Sequence, residues 1–82
     1  MTNEKVGESV QKTFKLHTPY ITLGQFLKAV NVIETGGQAK WYLKDHEVKI
    51  NQQVDQRRGK KLRDGDLVEV PDHGQFSIVK SN

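Results

Sequence analysis

The sequence predicts an α+β domain: two short helices packed on a small, mostly antiparallel sheet. Three observations point there. Residues 22–31 and 35–46 carry apolar side chains at helical spacing. The segments around them alternate apolar and polar residues in period two, as half-buried strands do. Turn signals at Asp64-Gly65 and Asp72-His73-Gly74 separate the later alternating segments. At 82 residues the chain has room for one domain and one small core.

Residues 1–11 are polar and aperiodic and are expected to form a flexible tail, with the domain occupying residues 12–82. Between Lys12 and Thr18 the pattern alternates, Phe14 and Leu16 on one face, Lys15 and His17 on the other, until Pro19 breaks the strand. Thr22-Leu23-Gly24-Gln25 then fits a capping box, in which the Thr22 hydroxyl accepts from the Gln25 amide and the Gln25 side chain reaches back. Ile21 and Phe26 form the matching hydrophobic staple. Leu23, Phe26, Leu27 and Val30 fall on one helical face, which ends near Asn31.

Thr35-Gly36-Gly37-Gln38 offers a second capping box. Ala39, Tyr42 and Leu43 line the following helix inward, His46 extends that face, and Trp41 falls opposite it. Glu47–Asn51 reads as a strand with Val48 and Ile50 inward; Gln52-Gln53 turns the chain, and Val54 resumes a strand. A basic loop follows. Leu67, Val68 and Val70 make the next strand, and Phe76 and Ile78 the last.

Composition excludes several functions. There is no cysteine, hence no disulfide framework, thiol nucleophile or Cys-based zinc site. His17, His46 and His73 are dispersed, without metal-ligand spacing. No phosphate-binding Gly-x-x-x-x-Gly-Lys-Ser/Thr loop occurs. Asp64, Asp66 and Asp72 lie in or beside turns, where aspartate commonly bonds the backbone. A non-enzymatic protein without cofactor or metal is expected. No apolar run approaches the roughly 20 residues of a membrane span, and no export signal is visible, so the expected compartment is the cytoplasm.

Charge is the informative feature. The net +3 conceals a segregation: residues 36–63 carry eight basic and three acidic side chains, whereas residues 64–82 carry one basic and four acidic. Within the basic third, Arg57, Arg58, Lys60, Lys61 and Arg63 fall in seven residues, with Gly59 allowing the backbone to bend. Each can neutralise a phosphate, Arg by bidentate hydrogen bonding and Lys as a mobile point charge. Lys40 and Lys44, one helical turn apart, can extend the patch. Gly36 and Gly37, with Gln38 opening the helix, can admit a phosphate to a helix start; the alternative is that they merely make a tight turn. Trp41 can stack on an unpaired base or be covered by the N-terminal segment.

The order of these signals resembles the S-four RNA-binding domain, also called the alpha-L motif. The resemblance rests on Leu23 with Phe26-Leu27, Gln38-Ala39-Lys40, Val48-Lys49-Ile50-Asn51 and Gly65-Asp66, and spans about Ile21 to Val70. Ile21–Lys28, Gly36–Trp41 and Arg57–Leu62 are most similar to the short stand-alone YaaA-type proteins of that family. The sequence departs from the wider family at the two helix starts. Thr22 stands where an Arg is usual, and Thr35-Gly36 where Ser-Arg is usual; His46 replaces the usual Gly before the strand. RNA contact by side chains at the helix starts therefore does not carry over. The resemblance implies a cytoplasmic, monomeric bacterial protein that binds structured RNA, above all ribosomal RNA in ribosome assembly or maintenance. Charge alone does not separate RNA from DNA or from an acidic protein partner, so a DNA-binding accessory protein and an adaptor remain alternatives.

Overall fold

A computed structural model describes residues 11–81. Its elements run β1 (Gln11–Leu16), β2 (Ile21–Thr22), α1 (Leu23–Ala29), α2 (Gln38–Asp45), β3 (Lys49–Ile50), β4 (Gln53–Val54), β5 (Lys61–Leu62), β6 (Leu67–Val70) and β7 (Gly74–Lys80). Five strands form a sheet in the order β1-β7-β6-β3-β4; β1 pairs in parallel with β7, and the other pairs are antiparallel. β2 and β5 form a separate antiparallel ribbon, with Ile21 opposite Leu62 and Thr22 opposite Lys61.

The core forms where the helices meet the sheet. Leu23, Phe26 and Leu27 of α1 and Ala39 and Leu43 of α2 are fully buried, together with Val68 and Ile78 of the sheet. Phe26 is the hub: Phe14 and Phe76 both meet it edge-to-face, with centroids 5.1 and 5.2 Å away. Each fully buried Val, Leu, Ile or Phe side chain stabilises the fold by about 1.5–3 kcal/mol through surface removed from water.

α1 begins and ends as its sequence requires. The Gln25 amide donates to the Thr22 hydroxyl at 3.3 Å and the Thr22 amide to Gln25 Oε1 at 3.0 Å, completing the box. At the other end the Asn31 amide donates to the Lys28 carbonyl and the Val32 amide to the Leu27 carbonyl, with Asn31 at φ 64. This is a Schellman motif, and asparagine is among the few side chains that accept its left-handed residue.

α2 starts differently from expectation. The Thr35 hydroxyl does not cap it; Gly37 is the capping residue and has no side chain to contribute. Gln38 reaches back instead, its Oε1 accepting from the Glu34 amide at 2.6 Å and the Thr35 amide at 3.0 Å. With its Oε1 engaged upstream, Gln38 supplies only the back-reaching half of the box.

Three further boundaries shift. Gln11, expected in the tail, begins β1, where it faces Gln75 and its side-chain amide donates to Ser77 Oγ; the rest of the expected tail lies outside the described residues. β1 ends at Leu16 rather than Thr18. The turn after β3 is Asn51-Gln52, both at positive φ (51 and 72), so Gln53 belongs to β4. Two left-handed residues give a hairpin turn whose twist matches the strands it joins.

Candidate nucleic-acid interface

The segment from Arg57 to Arg63, expected as a loop, is a tight turn followed by a strand. The Lys60 amide donates to the Arg57 carbonyl at 3.0 Å across Arg58-Gly59, and Lys61-Leu62 then pairs with β2. Leu62 is fully buried and anchors the strand to the core. Its neighbours Lys61 and Arg63 alternate to the opposite, solvent side.

Backbone bonds fix the turn against α1. The Leu23 amide donates to the Lys60 carbonyl and the Gly24 amide to the Arg58 carbonyl, each at 2.8 Å. These are first-turn amides with no partner inside the helix. Carbonyls of the basic segment therefore occupy the start of α1, and no phosphate has access to those two amides. Gly24 also lies against α2: a Cβ placed on it would stand 3.4 Å from Ala39 Cβ and 3.5 Å from Arg58 Cβ. The start of α1, the buried side of α2 and the basic turn thus meet at one glycine. On the far side of the turn, Gln56 Nε2 donates to the Leu43 carbonyl at 3.3 Å, tying the segment to the last turn of α2.

The cations differ in freedom. Arg57 is held by Asp55, which accepts from its backbone amide at 2.9 Å, from Nε at 3.0 Å and from Nη2 at 2.7 Å. The side-chain hydrogen bond is the main cause that holds the Asp55 carboxyl below its usual range and raises Arg57 further. Arg58, Lys61 and Arg63 are exposed, and Lys60 is half-buried. Lys61 Nζ and the Arg63 guanidinium lie over the Tyr20 ring, 4.9 and 5.7 Å from its centroid.

On α2, Lys40 and Lys44 flank Trp41, their ammonium groups 5.5 and 5.6 Å from the indole. Trp41 is 59% exposed, so the ring is not buried. The opposite face of α2 is buried, and there Tyr42 stacks on His46 at 4.0 Å. Burial chiefly, and then the Asp72 charge, push the Tyr42 hydroxyl above its ordinary value. Gly36 and Gly37 are exposed at the start of α2; a Cβ on Gly36 would meet nothing within 4 Å, and one on Gly37 only Thr35 Oγ1 at 3.9 Å. Packing within the described residues does not require a glycine at either position.

Acidic residues bordering the basic segment are engaged by the backbone. Asp66 accepts from the Arg63 amide at 2.8 Å and from Asn51 Nδ2 at 3.1 Å, while Asn51 Oδ1 accepts from the Leu67 amide at 3.0 Å. Asp64 accepts from the Lys80 amide at 2.8 Å. The Asn51 and Gly65-Asp66 signatures thus form one clasp that joins β3, the Asp64-Gly65 turn and β6. Asp55 and Gln56 had no sequence signal, because their roles follow from the path of the chain after β4. Among the described residues no group of three or more His, Cys, Asp or Glu is placed to hold a metal, and no helix is long and apolar enough to cross a membrane. An open groove of about 810 Å³ lies at the β6–β7 turn; Lys12 and Lys49 mix there with Glu47, Glu69 and Asp72, so it is not part of the cationic surface.

Residues 14–79 match the S4 domain family. The chain is also similar to a protein of Bacillus subtilis described as a probable ribosome maturation protein, RlbA. The two are 53% identical over 64 residues, which cover 78% of this chain and 90% of the relative.

Proposed function

Because this chain belongs to the S4 domain family, we propose that its cationic surface binds structured RNA without catalysis and that it serves ribosome biogenesis, with ribosomal RNA as the ligand. The observation that carries this reading is the docking of the basic turn on α1. Bonds from the Leu23 and Gly24 amides fix the backbone that bears Arg58 and Lys60. The cations are thus presented from a held scaffold, and less freedom is lost when they meet phosphates. Recognition by shape, phosphates and 2′-hydroxyls suits so compact a module. Lys40, Lys44 and Trp41 extend the surface on α2, and the exposed Gly36-Gly37 turn leaves room for a phosphate to approach. The Gln38 and Ala39 amides already donate to the Thr35 and Gly36 carbonyls and are not what would hold it. The similarity to a probable ribosome maturation protein favours ribosomal RNA over DNA or an acidic protein.

Two measurements test this. In a sucrose gradient of a cell lysate the protein should travel with ribosomal particles or their precursors. In titrations with ribosomal RNA, about four phosphate contacts give a slope of log affinity against log salt of roughly −3 to −4. Arg57→Ala with Arg58→Ala should flatten that slope by about one to two units and lower the melting transition only by what the Arg57–Asp55 bond contributes, without unfolding the protein. An unchanged affinity and slope in the double variant rejects the basic turn as the site. Equal binding of duplex DNA and ribosomal RNA rejects the assignment to RNA.

A further inference from the structure

Tyr20 lies outside every residue assigned to the surface so far, yet its surroundings repeat those of Trp41. Each aromatic is exposed, Tyr20 by 39% and Trp41 by 59%, and each carries two cations over its ring. The arrangement around Tyr20 follows from strand register. Ile21 faces Leu62 in the β2–β5 ribbon, and Thr22 faces Lys61. Continuing the antiparallel pairing by one residue sets Tyr20 opposite Arg63, with Lys61 on the diagonal. Because side chains alternate, the inward set is Ile21 and Leu62, and Tyr20, Lys61 and Arg63 share the outer face. The Thr18 hydroxyl donates to the Tyr20 carbonyl at 2.7 Å, holding the chain as it enters the ribbon.

We propose that Tyr20, with Lys61 and Arg63, forms a second contact station on the cationic surface, one that takes an unpaired nucleotide by stacking its base on the tyrosine ring. This inference rests on the RNA-binding reading and adds to it a preference for RNA with bases outside a duplex. A ring with open surface offers a π-face that any base can use, and sequence is not read in such a contact. The ammonium and guanidinium that lie over the ring, 4.9 and 5.7 Å from its centroid, swing off its face as a base replaces them and reach the phosphates on either side of that nucleotide. Both ends of the nucleotide are thereby engaged by three residues on one ribbon face. Duplexed RNA keeps its bases stacked internally and can use only the two cations.

The test compares two RNA probes of similar charge: a blunt duplex, and a hairpin of the same stem closed by a loop of unpaired purines. Wild-type protein should bind both, the hairpin more tightly. Tyr20→Ala and Tyr20→Leu should each lose roughly fivefold or more in affinity for the hairpin and less than about twofold for the duplex, a change within the range of one lost base stack. Tyr20→Leu keeps apolar bulk on the ribbon, so a loss shared by both variants is not a loss of folding. Tyr20→Phe, which retains the ring, should recover most of the hairpin affinity. Equal losses on both probes, or no loss on either, overturn the stacking station and leave the wider RNA-binding reading standing. Failure of the wild-type protein to bind either probe overturns both.

Discussion

Arg57 differs from the cations around it because its guanidinium donates twice to Asp55, at 3.0 and 2.7 Å, so a phosphate that approaches it meets a carboxylate already in place. That bond also gives the protein a pH dependence of known sign. Asp55 is held below the ordinary carboxylate range chiefly by the Arg57 hydrogen bond. A depressed folded-state value means that ionised Asp55 stabilises the fold above its unfolded value of about 3.9, and that this contribution is lost as pH falls through the lower folded value. Melting curves should therefore place wild type above Asp55→Asn at neutral pH, with the gap closing below about pH 4. A gap unchanged in acid would refute the assignment. The same variant should bind RNA more tightly, since one negative charge leaves the surface. Trp41 makes a second residue-level case. Its outward direction was legible in the helical period alone, and it is 59% exposed between Lys40 and Lys44. Trp41→Ala should shift stability by no more than about 0.5 kcal/mol, as is usual for surface sites, and weaken RNA binding by roughly 1–3 kcal/mol. As the sole tryptophan it reports on itself, and an emission spectrum untouched by saturating RNA would remove it from the interface.

The elements that carry the surface cations meet at a residue without a side chain. Gly24, in the first turn of α1, leaves space that Ala39 and the Arg58 backbone fill to within 3.4 Å of a would-be Cβ. Gly24→Ala should be nearly neutral, because that distance is ordinary contact. Gly24→Val has no room for its methyl groups unless the basic turn moves away, and overpacking of this kind costs about 1–3 kcal/mol. Calorimetry and RNA titration of the two variants should separate clearly, the valine losing both stability and affinity; equal behaviour would mean that the turn is not seated on α1 as described. The helices were legible because their periodicity extends over two turns, and α1 also because its cap has a side-chain signature. β5 was not legible. Two residues show no period, and Leu62 stands among Lys60, Lys61 and Arg63, where charge hides the single inward side chain. The start of α2 misled for another reason: threonine and glutamine three residues apart permit a capping box, but Gln38 bonds the Glu34 and Thr35 amides and Gly37 takes the capping position.

Across the whole molecule the two edges of the sheet are unequal, and the inequality follows from connectivity. β1 pairs in parallel with β7 along six residues, so the first described strand completes its bonding only on the last. Local alternation foretold both strands but not their pairing, because no short-range signal joins residues more than sixty positions apart. The opposite edge, β4, is two residues long and leaves Val54 48% exposed. Leu16 ends β1 almost wholly buried, at 1% exposure, and the Ser81 amide donates to its carbonyl at 2.7 Å. For a chain of this length total stability is about 4–12 kcal/mol. Leu16→Ala should cost roughly 2–5 kcal/mol of that through lost burial and the cavity left behind. Val54→Ala, at an edge that water already reaches, should cost no more than about 0.5 kcal/mol. Denaturant unfolding of the two variants measures the difference directly. Similar costs would mean that the pairing of the first strand with the last does not close the core, and that the helices with β3 and β6 hold the fold by themselves.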